Sequence, residues 1–175
     1  MKKDLINSKA KEVLKSFNSL KVPVPVQEII EKLGIKVSFA ASDKYSGVLI
    51  RKSDDTILMG LNSLESFNRQ RFTMAHELGH YFLGHNKPVF VDDKVTVNHR
   101  ENDLAKKHYD PKEADANAFA ASLLMPEEFI EKDFEQITKG INVFLDEHLM
   151  RLAEKYEVSK EAMKIRLLRL GLIKV

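Results

Sequence analysis

Cysteine is absent from the 175 residues, so the chain can form neither a disulfide nor a thiolate metal site. Any metal must therefore rest on histidine and carboxylate. No run of ~18 apolar residues occurs, which excludes a membrane-spanning helix by the usual length criterion. The opening residues, Met1-Lys2-Lys3-Asp4-Leu5, lack the apolar stretch of an export signal, so a cytoplasmic location is expected. A surplus of one charge is missing too. The chain has 28 Lys and Arg against 26 Asp and Glu, and a net charge of +2 gives no strong long-range pull toward nucleic acid or a membrane surface. What remains, 43% hydrophobic and 31% charged residues, is the composition of a globular domain, and the length suits one core plus a small appendage.

The most informative segment present is His76-Glu77-Leu78-Gly79-His80. Four residues along an α-helix turn the chain by about 400°, so His76 and His80 project from nearly the same face and can share one metal ion. Glu77 lies roughly 100° around the helix, where it can act on a water without ligating the metal. The flanking residues favour a helix: no breaker interrupts Arg69 to Ala75, and Phe72, Ala75, Leu78, Gly79, Phe82 and Leu83 recur at the spacing of a buried stripe. Asn68 or Thr73 is a candidate N-cap, and Gly84 followed by Pro88 supplies stop signals.

A hydrolytic zinc site needs a third protein ligand and an open position. His85 comes soon after the motif, but it is one residue away from the spacing that places a third histidine in His-Glu-x-x-His-x-x-Gly-x-x-His zincins, so it reads instead as a solvated residue or one that supports a ligand from behind, just past the helix end. The segment from Glu113 to Met125 offers a better candidate. Ala116, Phe119, Ala120, Leu123 and Leu124 mark a second buried helix that Pro126 ends, and its small alanines permit close packing on the first. Glu113 can complete a His₂Glu set, while Asn117, one turn later, can orient a ligand by hydrogen bonding. Asp115 remains a weaker candidate, because it projects about 200° from Glu113.

Two stretches, Arg71 to Tyr81 and Asp115 to Pro126, together resemble the ImmA/IrrE-type metallopeptidases. The resemblance extends outward through Val22-Pro23-Val24-Pro25-Val26 and Leu33-Gly34-Ile35 on one side. On the other it takes in Val158 to Met163, Arg166-Leu167 and Leu170 to Ile173, so it covers nearly the whole chain. It implies a zincin-like core, with Glu113 as the third zinc ligand four residues before Asn117. It also implies proteolysis of a specific protein, a repressor with a helix-turn-helix domain in a mobile element or stress response. The family more often carries glutamate where this chain has Asp115.

The expected fold is α+β. Helices are predicted around Leu5 to Phe17 and Val26 to Leu33, then β-rich runs at Ile35 to Phe39, Ser46 to Arg51 and Thr56 to Leu61. These runs predict a small three-stranded antiparallel or mixed sheet packed on the motif helix. Antiparallel pairing is favoured, because the links are too short for crossover helices. The strand at Thr56 to Leu61 is expected to accept an extended peptide. Asn86 to Lys112 shows no periodicity and reads as either a functional loop or a partly disordered stretch; of His99, His108 and Tyr109 within it, one could donate a hydrogen bond to a tetrahedral intermediate, but the surface reading is favoured for all three.

Two helices around Glu157-Val158-Ser159 give a helix-turn-helix outline, with Ser159 as N-cap. The expected division is a zincin-like domain over 1–140 and a helical subdomain over 141–175 packed on it. Lys160, Lys164, Arg166 and Arg169 define a candidate basic face on that subdomain. The expected function is a zinc metallopeptidase with ligands His76, His80 and Glu113 and general base Glu77. The alternative is a non-catalytic regulator that binds DNA or a partner and keeps the zincin core as a relic.

Overall fold

Apolar side chains at helical spacing start the chain on two short helices. In α1 (Lys3–Ser16), Ile6, Ala10, Val13 and Leu14 are buried, while Leu5 faces solvent. In α2 (Val26–Lys32), Val26, Ile29 and Ile30 are buried. A computed structural model describes residues 3–85, 89–93, 110–138 and 145–174. Within these lie seven helices and one four-stranded sheet, an α+β arrangement. No helix among the described residues is long and apolar enough to cross a membrane.

The strands β1 (Lys36–Ala40), β2 (Tyr45–Arg51), β3 (Ile57–Asn62) and β4 (Val89–Asp93) pair in the order β1-β3-β2-β4. β2 and β3 form the expected antiparallel hairpin, with Leu49 opposite Met59. β1, however, runs parallel to β3, with Val37 beside Met59. The short-link argument for purely antiparallel pairing fails because the crossover from β1 to β3 is the whole of β2 with its turns, which needs no helix. The sheet also has a fourth strand. β4 pairs antiparallel with β2 and comes from the stretch read as a loop. Its five residues are too few to show a period, but the backbone hydrogen bonds of a ladder depend little on side-chain pattern.

β3 has partners on both sides, so it cannot receive a peptide as an added strand; the edges of the sheet are β1 and β4.

Helix α3 (Phe67–Phe82) carries the histidine motif and lies against the sheet. Its cap is Ser66, whose Oγ accepts from the Arg69 N–H at 3.4 Å, rather than Asn68 or Thr73. Thr73 is buried inside the helix, and Asn68 instead donates to the Val158 carbonyl. Helix α4 (Pro111–Leu124) begins at Asp110, whose carboxylate caps the Lys112 N–H, and ends at Met125 just before Pro126.

Helix α5 (Glu127–Thr138) is absent from the sequence-based reading. Its inward stripe runs Ile130, Asp133, Phe134 and Ile137, and the aspartate in that stripe disguises the apolar period. Asp133 is tolerated because Tyr156 Oη donates to it at 2.8 Å and Lys155 Nζ at 2.7 Å.

The last two helices, α6 (Asp146–Tyr156) and α7 (Lys160–Leu170), meet at Glu157, which adopts a left-handed conformation, and Ser159, which caps the Ala162 N–H. Leu149, Leu152, Ala153, Tyr156, Val158, Met163 and Leu167 join the hydrophobic cluster of the rest of the chain. The expected boundary at 140/141 lies outside the described residues. Arg166 does not stand on a basic face: it is 3% exposed and donates through Nε to the Met125 carbonyl. Lys160 is engaged with Asp146 at 2.6 Å.

Candidate metal centre

α3 and α4 cross closely because the residues between them are small. A Cβ built on Gly79 would sit 3.0 Å from the Ala116 Cα and carbonyl oxygen, tighter than ordinary van der Waals contact. That approach brings the first turn of α4 over the histidine pair of α3. On the opposite side, β2 passes just as near at Gly47, where a Cβ would meet Thr73 Cγ2 at 2.3 Å and Glu77 Oε1 at 3.2 Å. Glycine in the motif and glycine in the strand thus set the depth of the site.

The predicted ligand atoms converge. His76 Nε2 lies 3.0 Å from His80 Nε2, and the Glu113 carboxylate lies 3.2 Å from the first and 3.4 Å from the second. His76, His80 and Glu113 form a group whose donor atoms all fall within 4.8 Å of one another. A tetrahedral zinc with bonds of about 2.0–2.1 Å separates its donors by about 3.3 Å, so the three atoms fit such an ion with little movement. The histidines are buried, at 2% and 1% exposure, whereas the Glu113 side chain is 39% exposed and marks the open side. Glu77 is fully buried beside them. The two imidazoles, His76 first, hold the Glu113 carboxyl well below the usual carboxylate range, and so keep it ionised as a ligand must be.

Each histidine is held from behind. Asn117 Oδ1 lies 3.0 Å from His76 Nδ1, where it accepts the Nδ1 proton and leaves the Nε2 lone pair for the metal. This is the orienting contact expected of Asn117.

His85 does the same for His80, one of the two readings open to a histidine just past the helix end. Its Nδ1 lies 2.9 Å from His80 Nδ1 on the side away from the convergence point, so His85 is placed behind a ligand rather than among the ligands. Gly84, with φ of +68°, turns the chain back at the end of α3, and the His85 N–H bonds the His80 carbonyl. Burial, then the neighbouring His80, pushes the His85 imidazole below its ordinary pKa and keeps it neutral, so that Nδ1 can accept a proton from His80. The only sequence signal was a histidine five residues past His80, just beyond a helix-ending glycine. Asp115 stays outside the donor group, as its angular position implied. His99, His108 and Tyr109 lie outside the described residues.

Among solved structures, a Mycobacterium tuberculosis transcriptional regulator superposes with a TM-score of 0.56 at 16% sequence identity. The alignment covers 94% of this chain but 46% of that one, so the chain spans about half the length of its neighbour. No curated protein matches the sequence. The family model for the IrrE N-terminal-like domain, Peptidase_M78, matches residues 30–168, which takes in every element from the end of α2 to α7 and all three candidate ligands. The chain therefore belongs to the Peptidase_M78 family of IrrE N-terminal-like domains.

Proposed function

We propose that the protein is a zinc-dependent endopeptidase that hydrolyses a peptide bond in a specific cytoplasmic protein, a helix-turn-helix repressor. The observation that carries this reading is the meeting of His76, His80 and Glu113 beside the buried Glu77. Zinc is favoured over magnesium or calcium because two of the three donors are imidazole nitrogens. Held there, zinc would supply Lewis-acid polarisation of a carbonyl and lower the pKa of water from about 16 toward 7.

The protein residues carry the rest. Asn117 and His85 hold the two imidazoles in the tautomer that presents Nε2. Glu77 takes a proton from the attacking water as the C–O bond forms, then passes it to the departing amide nitrogen as the C–N bond breaks. The one-residue offset of Glu77 from His76 suits that task, since it keeps the carboxylate near the site but out of the donor set. A repressor substrate is the reading that the family resemblance supports.

Exchange of Glu77 for Gln tests the proposal. The variant should bind one zinc per chain by elemental analysis, keep the wild-type circular dichroism, and cleave a helix-turn-helix repressor that the wild type cuts roughly 10²–10⁴-fold more slowly. Undiminished cleavage by Glu77→Gln would remove Glu77 as the base. A wild-type protein that cleaves nothing when loaded with zinc would favour the regulator reading. The C-terminal helices lend that rival little support as a DNA reader, because two of the four proposed basic contacts, Arg166 and Lys160, are buried or engaged.

A further inference from the structure

Most polar side chains of α3 have hydrogen-bond partners. Asn68, Arg69, Gln70 and Arg71 bond to other segments, and His76 and His80 are held from behind by Asn117 and His85. Thr73 is fully buried, yet its Oγ1 has no hydrogen-bond partner among the described residues. An acceptor is at hand, because a hydroxyl inside a helix can turn back to the carbonyl four residues earlier. Elsewhere the chain takes that option: Ser16 donates to the Glu12 carbonyl at 2.9 Å, Ser122 to Ala118 at 2.8 Å and Thr138 to Phe134 at 2.9 Å. The Thr73 hydroxyl does not take the Arg69 carbonyl. An orphaned hydroxyl in a core is costly, and valine would fill the same space without it, so its presence points to a use.

Glu77 is the group within reach. It stands one turn after Thr73 on the same face of α3, and helical side chains lean toward the N-terminus, which brings its carboxylate back over the Thr73 turn. Both side chains border one point: the place of a Cβ on Gly47 lies 2.3 Å from Thr73 Cγ2 and 3.2 Å from Glu77 Oε1. The missing side chain at Gly47 leaves them room to meet. A rotation of about 120° around the Thr73 Cα–Cβ bond puts the hydroxyl where the methyl group now stands, and threonine divides between two such wells in helices.

We propose that Thr73 is a positioning residue for Glu77: its hydroxyl donates to one carboxylate oxygen and so turns the other toward the water that Glu77 deprotonates. The proposal rests on the reading of Glu77 as the general base. A hydroxyl merely tolerated in the core would instead make its removal silent in catalysis.

Thr73→Val, which keeps the shape and removes the hydroxyl, and Thr73→Ser, which keeps the hydroxyl and removes the methyl group, test it. Both should bind one zinc per chain and keep the wild-type circular dichroism. Against a helix-turn-helix repressor that the wild type cuts, Thr73→Val should lower kcat roughly ten- to a hundredfold with KM unchanged, and Thr73→Ser should keep most of the wild-type rate. A readout free of turnover is the Glu77 carboxyl ¹³C resonance of the zinc-loaded chain, assigned by its loss in Glu77→Gln. Thr73→Val should move that resonance, and Thr73→Ser should leave it near the wild-type position. Should Thr73→Val fail to fold, the wild type decides: the Thr73 hydroxyl proton should exchange slowly and show a nuclear Overhauser contact to the Glu77 methylene protons, and absence of that contact sinks the proposal. Wild-type kcat in Thr73→Val, or a Glu77 resonance that it leaves in place, likewise overturns it. A wild type that cleaves no repressor counts against the general-base reading, and the resonance then judges Thr73 by itself.

Discussion

At the scale of single residues, the candidate site depends on groups outside the converging donor set. Loss of the His85 imidazole frees the His80 ring to turn and removes the acceptor that sets its tautomer. His85→Ala should weaken zinc binding about ten- to a hundredfold in competition with a chromogenic chelator, and His85→Gln, which can keep an acceptor there, should recover part of the loss. Unchanged affinity in His85→Ala would show that helix packing alone orients His80. Sequence reasoning reached His76, Glu77 and His80 because ligand spacing on one helix is a property of local geometry. It reached Glu113 and Asn117 through a second helix with the same regularity. For His85 it left two readings open, solvated or behind a ligand, because a residue after a left-handed glycine has no helical phase to extrapolate.

At the scale of elements, the distance between α3 and α4 decides whether three ligands become one site. Gly79→Ala puts a methyl group 3.0 Å from the backbone of Ala116, which cannot move aside as a side-chain tip would. The expected cost is about 1–3 kcal/mol in urea unfolding, with a loss of zinc affinity as Glu113 is lifted from the histidines. Wild-type zinc affinity in Gly79→Ala would mean that the helices can separate without disturbing the site.

The join between α5 and α6 has its own signature in pH. Burial, with the hydrogen bond to Asp133, pushes the Tyr156 hydroxyl above its ordinary 10.0. A raised folded pKa gives stability that is fully present below about pH 10 and lost as pH rises toward the folded value. Tyr156→Phe should therefore flatten the alkaline decline in unfolding free energy while costing about 1–2 kcal/mol near neutrality. Equal alkaline slopes in the two proteins would assign that decline to other groups. The same contact explains why α5 escaped detection: the buried Asp133 that Tyr156 satisfies stands where an apolar residue would have completed the pattern.

For the whole molecule, the question is whether the C-terminal helices melt with the rest. Arg71 of α3 ties the Glu157 carbonyl and carboxylate to the Val24 carbonyl, and Asn68 holds the Val158 carbonyl. One hydrophobic cluster also runs from α1 to α7. Calorimetry should show a single transition, and Arg71→Met should lower stability by about 2–4 kcal/mol, since two carbonyls lose a donor and a carboxylate its partner. A separate early transition for α6 and α7 would make them an independent unit instead.

Local order alone determined the chemistry within reach of this chain: which side chains share a helical face, and that a metal could use only imidazole and carboxylate. Those properties follow from rotation per residue and from composition, and both are complete in the sequence. Tertiary structure alone decided that β1 lies parallel to β3, that β4 adds an edge strand beside β2, that His85 backs His80, and that Arg166 is buried rather than displayed. Each of these depends on contacts between segments far apart in the chain, where many pairings satisfy the same local pattern and packing selects among them.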